Sequence, residues 1–209
     1  MTGLLIAFVI TLLIPLFVGS WRTSLLGFAV QGMLMASMAI QQHHGQPSLA
    51  LGLAMLDLVL LRTIGLPLAL YLVLRDRNAP ARNDVLAPNL FSWGMAIALI
   101  VVAFRTADVL VPVEGDEQLL VAVSSAASLL GLIVLATANS ELSQVIGVVR
   151  VENAIALFEL GGAKGHDSLA IRACQTIILL VSIGFYRWYL IGLTQQPDAS
   201  PDNTETTAL

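Results

Sequence analysis

The sequence predicts an all-α protein that crosses a bilayer about seven times, and three observations carry that prediction. Charged residues, ten Lys and Arg with fourteen Asp and Glu, make up 11% of the 209 positions, against roughly 25% in an ordinary soluble domain. Hydrophobic residues make up 57% and the mean hydropathy is +0.84, so polar surface is too scarce to coat a water-soluble globule. The apolar residues are gathered into seven runs of 16 to 26 residues with short polar breaks between them. Membrane strands are nearer about 9–11 residues and alternate in polarity, so run length selects helices.

A spanning helix needs about 20 mostly apolar residues at a rise of about 1.5 Å each. The first run, Gly3 to Val18, closes at Gly19-Ser20-Trp21-Arg22; the second, Ser24 to about Ile40, closes at Gln41-Gln42-His43-His44-Gly45. The third, Leu49 to Leu74, carries Asp57, Arg62 and Pro67 and stops at the polar loop RDRNAPARND. The fourth, Phe91 to Val111, holds Arg105 and Asp108 near its end, and the acidic stretch Val113 to Gln118 leads into the fifth, Leu119 to Ala138. A polar link, Asn139 to Ser143, precedes the sixth, Gln144 to Leu160, and GGAKGHD precedes the seventh, Ser168 to Leu193. The first and sixth runs are short for a span, which leaves a count of six, or a half-inserted helix, as the alternative. The tail after Thr194 has the Pro, Asp, Asn and Thr content of a disordered end.

Orientation follows from the bias of Lys and Arg. With the N-terminus outside, the inner loops hold Arg22, Arg75, Arg77 and Arg82, and Arg187 marks the inner end of the last helix. The outer loops then hold only Lys164 beside Glu114, Asp116, Glu117 and Asp167, so the positive-inside rule selects N-out and C-in. Tyr186, Trp188 and Tyr189 in FYRWYL suit an interfacial aromatic belt. Met1 to Val18 lacks a basic leader and a small-residue cleavage motif, and reads as a retained helix.

Several function classes fall at the same step. A single Cys174 supplies no disulfide or thiolate metal site, and His43, His44 and His166 are not at ligand spacing on one helix, so no metal or redox cofactor is expected. A net charge of −4 with no basic cluster beyond one loop argues against nucleic acid.

Ionisable groups inside the spans carry the functional signal, because each costs at least about 2.5–3.5 kcal/mol at mid-helix and needs compensation. Asp57, Arg62, Arg150, Glu152 and Arg172 stand out. Asp57 and Arg62 are five apart, about 140° around an α-helix, so each is expected to seek a partner on another helix. Pro67 follows Arg62 by five residues and frees a backbone carbonyl beside the buried cation. Glu152 and Glu159 are seven apart, on one face and about 10 Å apart along the axis. That distance requires water or a third group for any proton to pass. The two arginines near this pair, Arg150 and Arg172, are the candidate counter-charges. For each of these groups the plain structural alternative is interhelical glue.

Residues 129–162, LLGLIVLATANSELSQVIGVVRVENAIALFELGG, carry a resemblance as well. Gly131, Asn139, Gln144, Gly147, Glu152 and Asn153 match a Gly, turn Asn, then Q-x-x-G-x-x-x-x-E-N pattern. In this the chain resembles hydrogenase-4 component E, and more remotely the K subunit of complex I and the C subunit of multisubunit cation/proton antiporters. The resemblance implies a division into an N-terminal four-helix half, residues 1–112, a three-helix half like the complex I K subunit, 113–193, and the tail 194–209. Arg62 takes the place of a Lys in the family's N-terminal half. Two departures stand out: Val149 occupies the position of the K subunit's usual carboxylate, and the last helix offers Arg172, Cys174 and Gln175 where a second acid is usual.

The resemblance implies a non-catalytic, cofactor-free subunit of a complex I-like or group 4 [NiFe]-hydrogenase-like assembly in a bacterial or archaeal plasma membrane. Its partners would be antiporter-like membrane proteins, membrane proteins like the H subunit of complex I, and peripheral hydrogenase-like subunits. The proton or Na⁺ path would run through Glu152, Asp57, Arg62, Glu159, Arg150 and Arg172. The alternatives are a structural or assembly subunit with no path of its own and a member of a cation/proton antiporter-like complex. A stand-alone carrier is disfavoured, since neither an inverted repeat nor a pair of Gly/Pro-broken helices is detectable.

Overall fold

The computed structural model describes residues 1–42, 49–76, 89–111, 115–162 and 169–194. The described chain forms seven helical rods and no strand. These are α1 (Thr2–Phe17), α2 (Trp21–Gln42), α3 (49–76), α4 (Leu90–Leu110), α5 (Asp116–Thr137), α6 (Glu141–Gly162) and α7 (Leu169–Thr194). Rod α3 is composite: about two α-helical turns, Leu49–Met55, run without interruption into a π-helical stretch, Leu56–Gly65, and then into α-helix Leu66–Asp76. The expected tail, the loop arginines Arg77 and Arg82, the loop residues Glu114, Lys164 and Asp167, and the three histidines lie outside the described residues.

All seven predicted runs are helices, and several start in the polar links ahead of the apolar run; two of these starts have side-chain caps. Helix α6 begins at Glu141 because the Ser140 hydroxyl accepts from the Ser143 N–H at 3.3 Å and its carbonyl accepts from the Gln144 N–H. Helix α4 is capped by Asn89, whose side chain accepts from the Ser92 N–H at 2.8 Å. Helix α5 starts with Asp116 and Glu117, which face the positive end of the helix dipole.

Among the described residues, five helices are long and apolar enough to cross a membrane: Trp21–Gln42, Leu51–Asp76, Leu90–Leu110, Asp116–Thr137 and Ala173–Gly192. The two that fall short are the two the sequence marks as short. Helix α1 has 16 residues, and α6 has 22 residues but carries Glu141, Arg150, Glu152 and Glu159. Helix α6 is nonetheless the centre of the molecule. It packs along α5 more extensively than any other two elements meet, and it also meets α2 and α7. One apolar core joins Phe8 and Leu12 of α1, Phe28 and Met35 of α2, Leu130 of α5, and Val149 and Leu157 of α6. At one end of the bundle Phe17 stacks on Trp93, ring centroids 4.1 Å apart; beyond the far end of α4, Gln118 donates to Asp108 at 3.0 Å.

The distribution of polarity is inverted relative to a soluble protein. Gln31, Asp57, Arg62, Arg150 and Asn153 are buried, while Ile10, Leu26, Ile97, Ile178 and Trp188 are exposed. Such a surface is compatible with a hydrocarbon solvent.

Two glycines let α5 and α6 approach closely. A Cβ on Gly147 would sit 2.8 Å from the Leu135 backbone nitrogen and 2.9 Å from its Cα; one on Gly131 would sit 3.2 Å from the Val151 nitrogen. Backbone cannot yield as a side chain can. Gly147→Ala is therefore expected to destabilise the protein by about 1–3 kcal/mol, read as an earlier unfolding midpoint in an SDS titration of detergent-purified protein. Gly184→Ala, where a Cβ meets nothing within 4 Å, should be neutral or stabilising by up to about 1 kcal/mol.

Candidate functional site

The site grows from the winding of α3. In a π turn the backbone bond runs from i to i+5, which stacks residues five apart instead of four. The Leu66 N–H donates to the Leu61 carbonyl in this way, and the Thr63 hydroxyl donates to the Leu58 carbonyl at 2.8 Å. Pro67 then ends the pattern, because it has no N–H to continue it. The helix winds π before Pro67 and does not break at it.

That winding corrects the expectation that Asp57 and Arg62 each find a partner on a different helix. The Arg62 Nε donates to Asp57 Oδ2 at 2.9 Å, within the same rod. The 140° separation holds for α geometry only, and the π stretch removes it. The interhelical half of the expectation stands: Arg62 Nη1 donates to Asn153 Oδ1 on α6 at 2.9 Å. Asn153 Nδ2 in turn donates to Gln31 Oε1 on α2 at 3.1 Å. The four side chains are 7%, 5%, 1% and 1% exposed for Asp57, Arg62, Asn153 and Gln31. Asp57 Oδ1 is buried with no hydrogen-bond partner among the described residues. Gly32 makes the assembly compact: a Cβ there would lie 2.9 Å from the Thr63 nitrogen and 3.0 Å from the Leu58 carbonyl oxygen.

A second set of polar groups lies on α6. Arg150 is 1% exposed and donates through Nη1 to the Leu12 carbonyl of α1 at 3.3 Å. Glu152 is half-buried; its Oε1 accepts from the Tyr186 hydroxyl of α7 at 3.1 Å, and its Oε2 is buried with no hydrogen-bond partner among the described residues. Glu159, also half-buried, follows seven residues on. Arg172 lies near the start of α7, and its side chain, with the suggested Arg172–Glu152 pairing, is outside what is described. Arg105 is exposed on α4.

Of the motif residues, Gly131, Gly147 and Asn153 are buried and serve packing or the network, while Gln144 and, at the turn, Asn139 are exposed. Two participants escaped the sequence reading. Gln31 is a polar residue at the middle of an apolar run, and that position was the available signal. Tyr186 reads as part of an interfacial belt, yet it is half-buried against Glu152, whereas Trp188 is 70% exposed. Its register with buried Leu190, four residues on, is the signal that separates it from its aromatic neighbours.

Among the described residues no three His, Cys, Asp or Glu side chains converge on a point that could hold a metal ion. Comparison of the chain with protein-family models, with curated proteins and with solved structures found no match.

The Asp57–Arg62 pair lends itself to a double-mutant cycle. Asp57→Leu leaves a buried guanidinium without its counter-ion and is expected to cost about 3–5 kcal/mol. Asp57→Leu combined with Arg62→Leu removes both charges and should recover at least half of that loss, measured by the same SDS titration. Additive losses in the double variant would exclude an energetically coupled pair.

Proposed function

We propose that this chain is a multi-pass membrane protein that contributes an intramembrane carboxylate to a proton or Na⁺ path, as a non-catalytic subunit of a larger redox-driven membrane assembly. The single observation that carries the path is Glu152. It sits in the middle of the most enclosed helix, with one oxygen on Tyr186 and the other buried without a hydrogen-bond partner among the described residues. A carboxylate in such a place is costly in hydrocarbon and marks an ion or proton route by default. The inverted polarity of the bundle supports the bilayer setting. The charge bias of the sequence supports N-out and C-in in a bacterial or archaeal plasma membrane. The likeness of residues 129–162 to hydrogenase-4 component E supports the complex I-like or hydrogenase-like assembly, with antiporter-like and hydrogenase-like partner proteins supplying the redox chemistry.

A second reading, a structural subunit, is favoured by one observation. Arg62 is satisfied by Asp57 on its own rod and by Asn153 on α6, which is what a fixed clamp requires.

The two readings separate in membrane vesicles containing the assembled complex. Glu152→Gln is nearly isosteric and should abolish substrate-driven ion uptake while the complex still co-purifies. Full uptake in that variant would falsify the path and leave the structural reading.

A further inference from the structure

A cleft of about 490 Å³ opens where α1 turns into α2, alongside the last turns of α3. Trp21 and Arg22 from the start of α2, and Tyr71 and Arg75 from α3, form its polar part; Leu25 and Leu74 add apolar lining. Arg22 is exposed and has no hydrogen bond or ion pair with another described residue. Arg75 has only a long contact, 3.4 Å, to its exposed neighbour Asp76. Two guanidinium groups therefore face one concavity with most of their donors unused. The start of a 22-residue helix adds the positive end of its dipole to the same place. The ion pair to Asp76 offsets part of this charge without filling the cleft.

A phosphate group answers that donor geometry, since guanidinium forks bind phosphate oxygens in pairs. The volume exceeds what a bare phosphate needs and falls in the range of organic ligand sites. Aromatic side chains beside basic ones are the composition of a headgroup level, and Leu25 and Leu74 offer the foot of an acyl chain an apolar contact. We propose that this cleft binds the phosphodiester headgroup of an anionic glycerophospholipid. The inference rests on the bilayer reading above and is independent of the ion path.

The test uses the full chain purified in mild non-ionic detergent and native mass spectrometry with added phosphatidylglycerol, phosphatidylcholine or inorganic phosphate. Phosphatidylglycerol should be retained in preference to phosphatidylcholine. Arg22→Gln combined with Arg75→Gln should weaken that retention by about fivefold per guanidinium, the usual contribution of one basic residue to anionic lipid. Arg105→Gln, on a different helix and outside the cleft, should leave it unchanged. Equal retention of the two lipids by the wild type overturns the proposal without recourse to any variant, as does unchanged retention in the double variant. Retention of inorganic phosphate that displaces the lipid would assign the site to free phosphate instead and overturn the lipid assignment. Alkaline carbonate extraction of native membranes tests the bilayer reading separately: release of the chain there sinks that reading, whereas retention there with equal lipid binding sinks only the cleft.

Discussion

Arg62 carries a full positive charge at 5% exposure, and an ion in that position has to be surrounded by fixed partners or expelled. The arrangement of three helices follows from this need. The counter-ion comes from the same rod because the π stretch brings Asp57 into line, and the second partner comes from Asn153 on α6. Asn153 can reach Arg62 and Gln31 together only if α2, α3 and α6 lie close. Gly32 allows that approach on the α2 side. A Cβ there would meet the Thr63 backbone nitrogen and the Leu58 carbonyl oxygen. The unusual winding, the small residue and the buried amide are thus parts of one solution to a single electrostatic problem.

Helix α6 shows how a bundle accommodates a charged segment. Its neighbours α2, α5 and α7 shield it, and their outer faces carry exposed apolar residues such as Leu26, Leu132 and Ile178. Here its polar groups are directed at other helices: Arg150 at a backbone carbonyl of α1, Glu152 at Tyr186 of α7, and Asn153 at α2 and α3.

The helices were legible because apolar runs of this length are too long for strands, and the ends were legible to within a turn. Side-chain caps account for two of the boundary differences, at Ser140 and Asn89. The involvement of Glu152, Asp57, Arg62 and Arg150 in polar contacts was also legible, since each is a charge where charge is expensive. Their partners were not. An α-helical wheel places Asp57 and Arg62 on different faces, and nothing local in LDLVLLRTIG announces π winding. The pairing of Tyr186 with Glu152 was not legible, because its neighbours Trp188 and Tyr189 share its chemistry while facing outward. Facing is set by packing against α6, which composition does not encode.

Hydrogen bonds also have a sense. From Arg62 the N–H points to the Asn153 oxygen, and from Asn153 the N–H points to the Gln31 oxygen, so donation runs one way along the whole line. A guanidinium has no acceptor with which to reverse it, and neutral amides neither take up nor release a proton readily. The line can transmit force and alignment, but it cannot hand on a hydrogen ion. That divides labour within α6 between adjacent residues. Asn153 ties the helix to α2 and α3, and Glu152, one position earlier, is turned towards Tyr186 of α7.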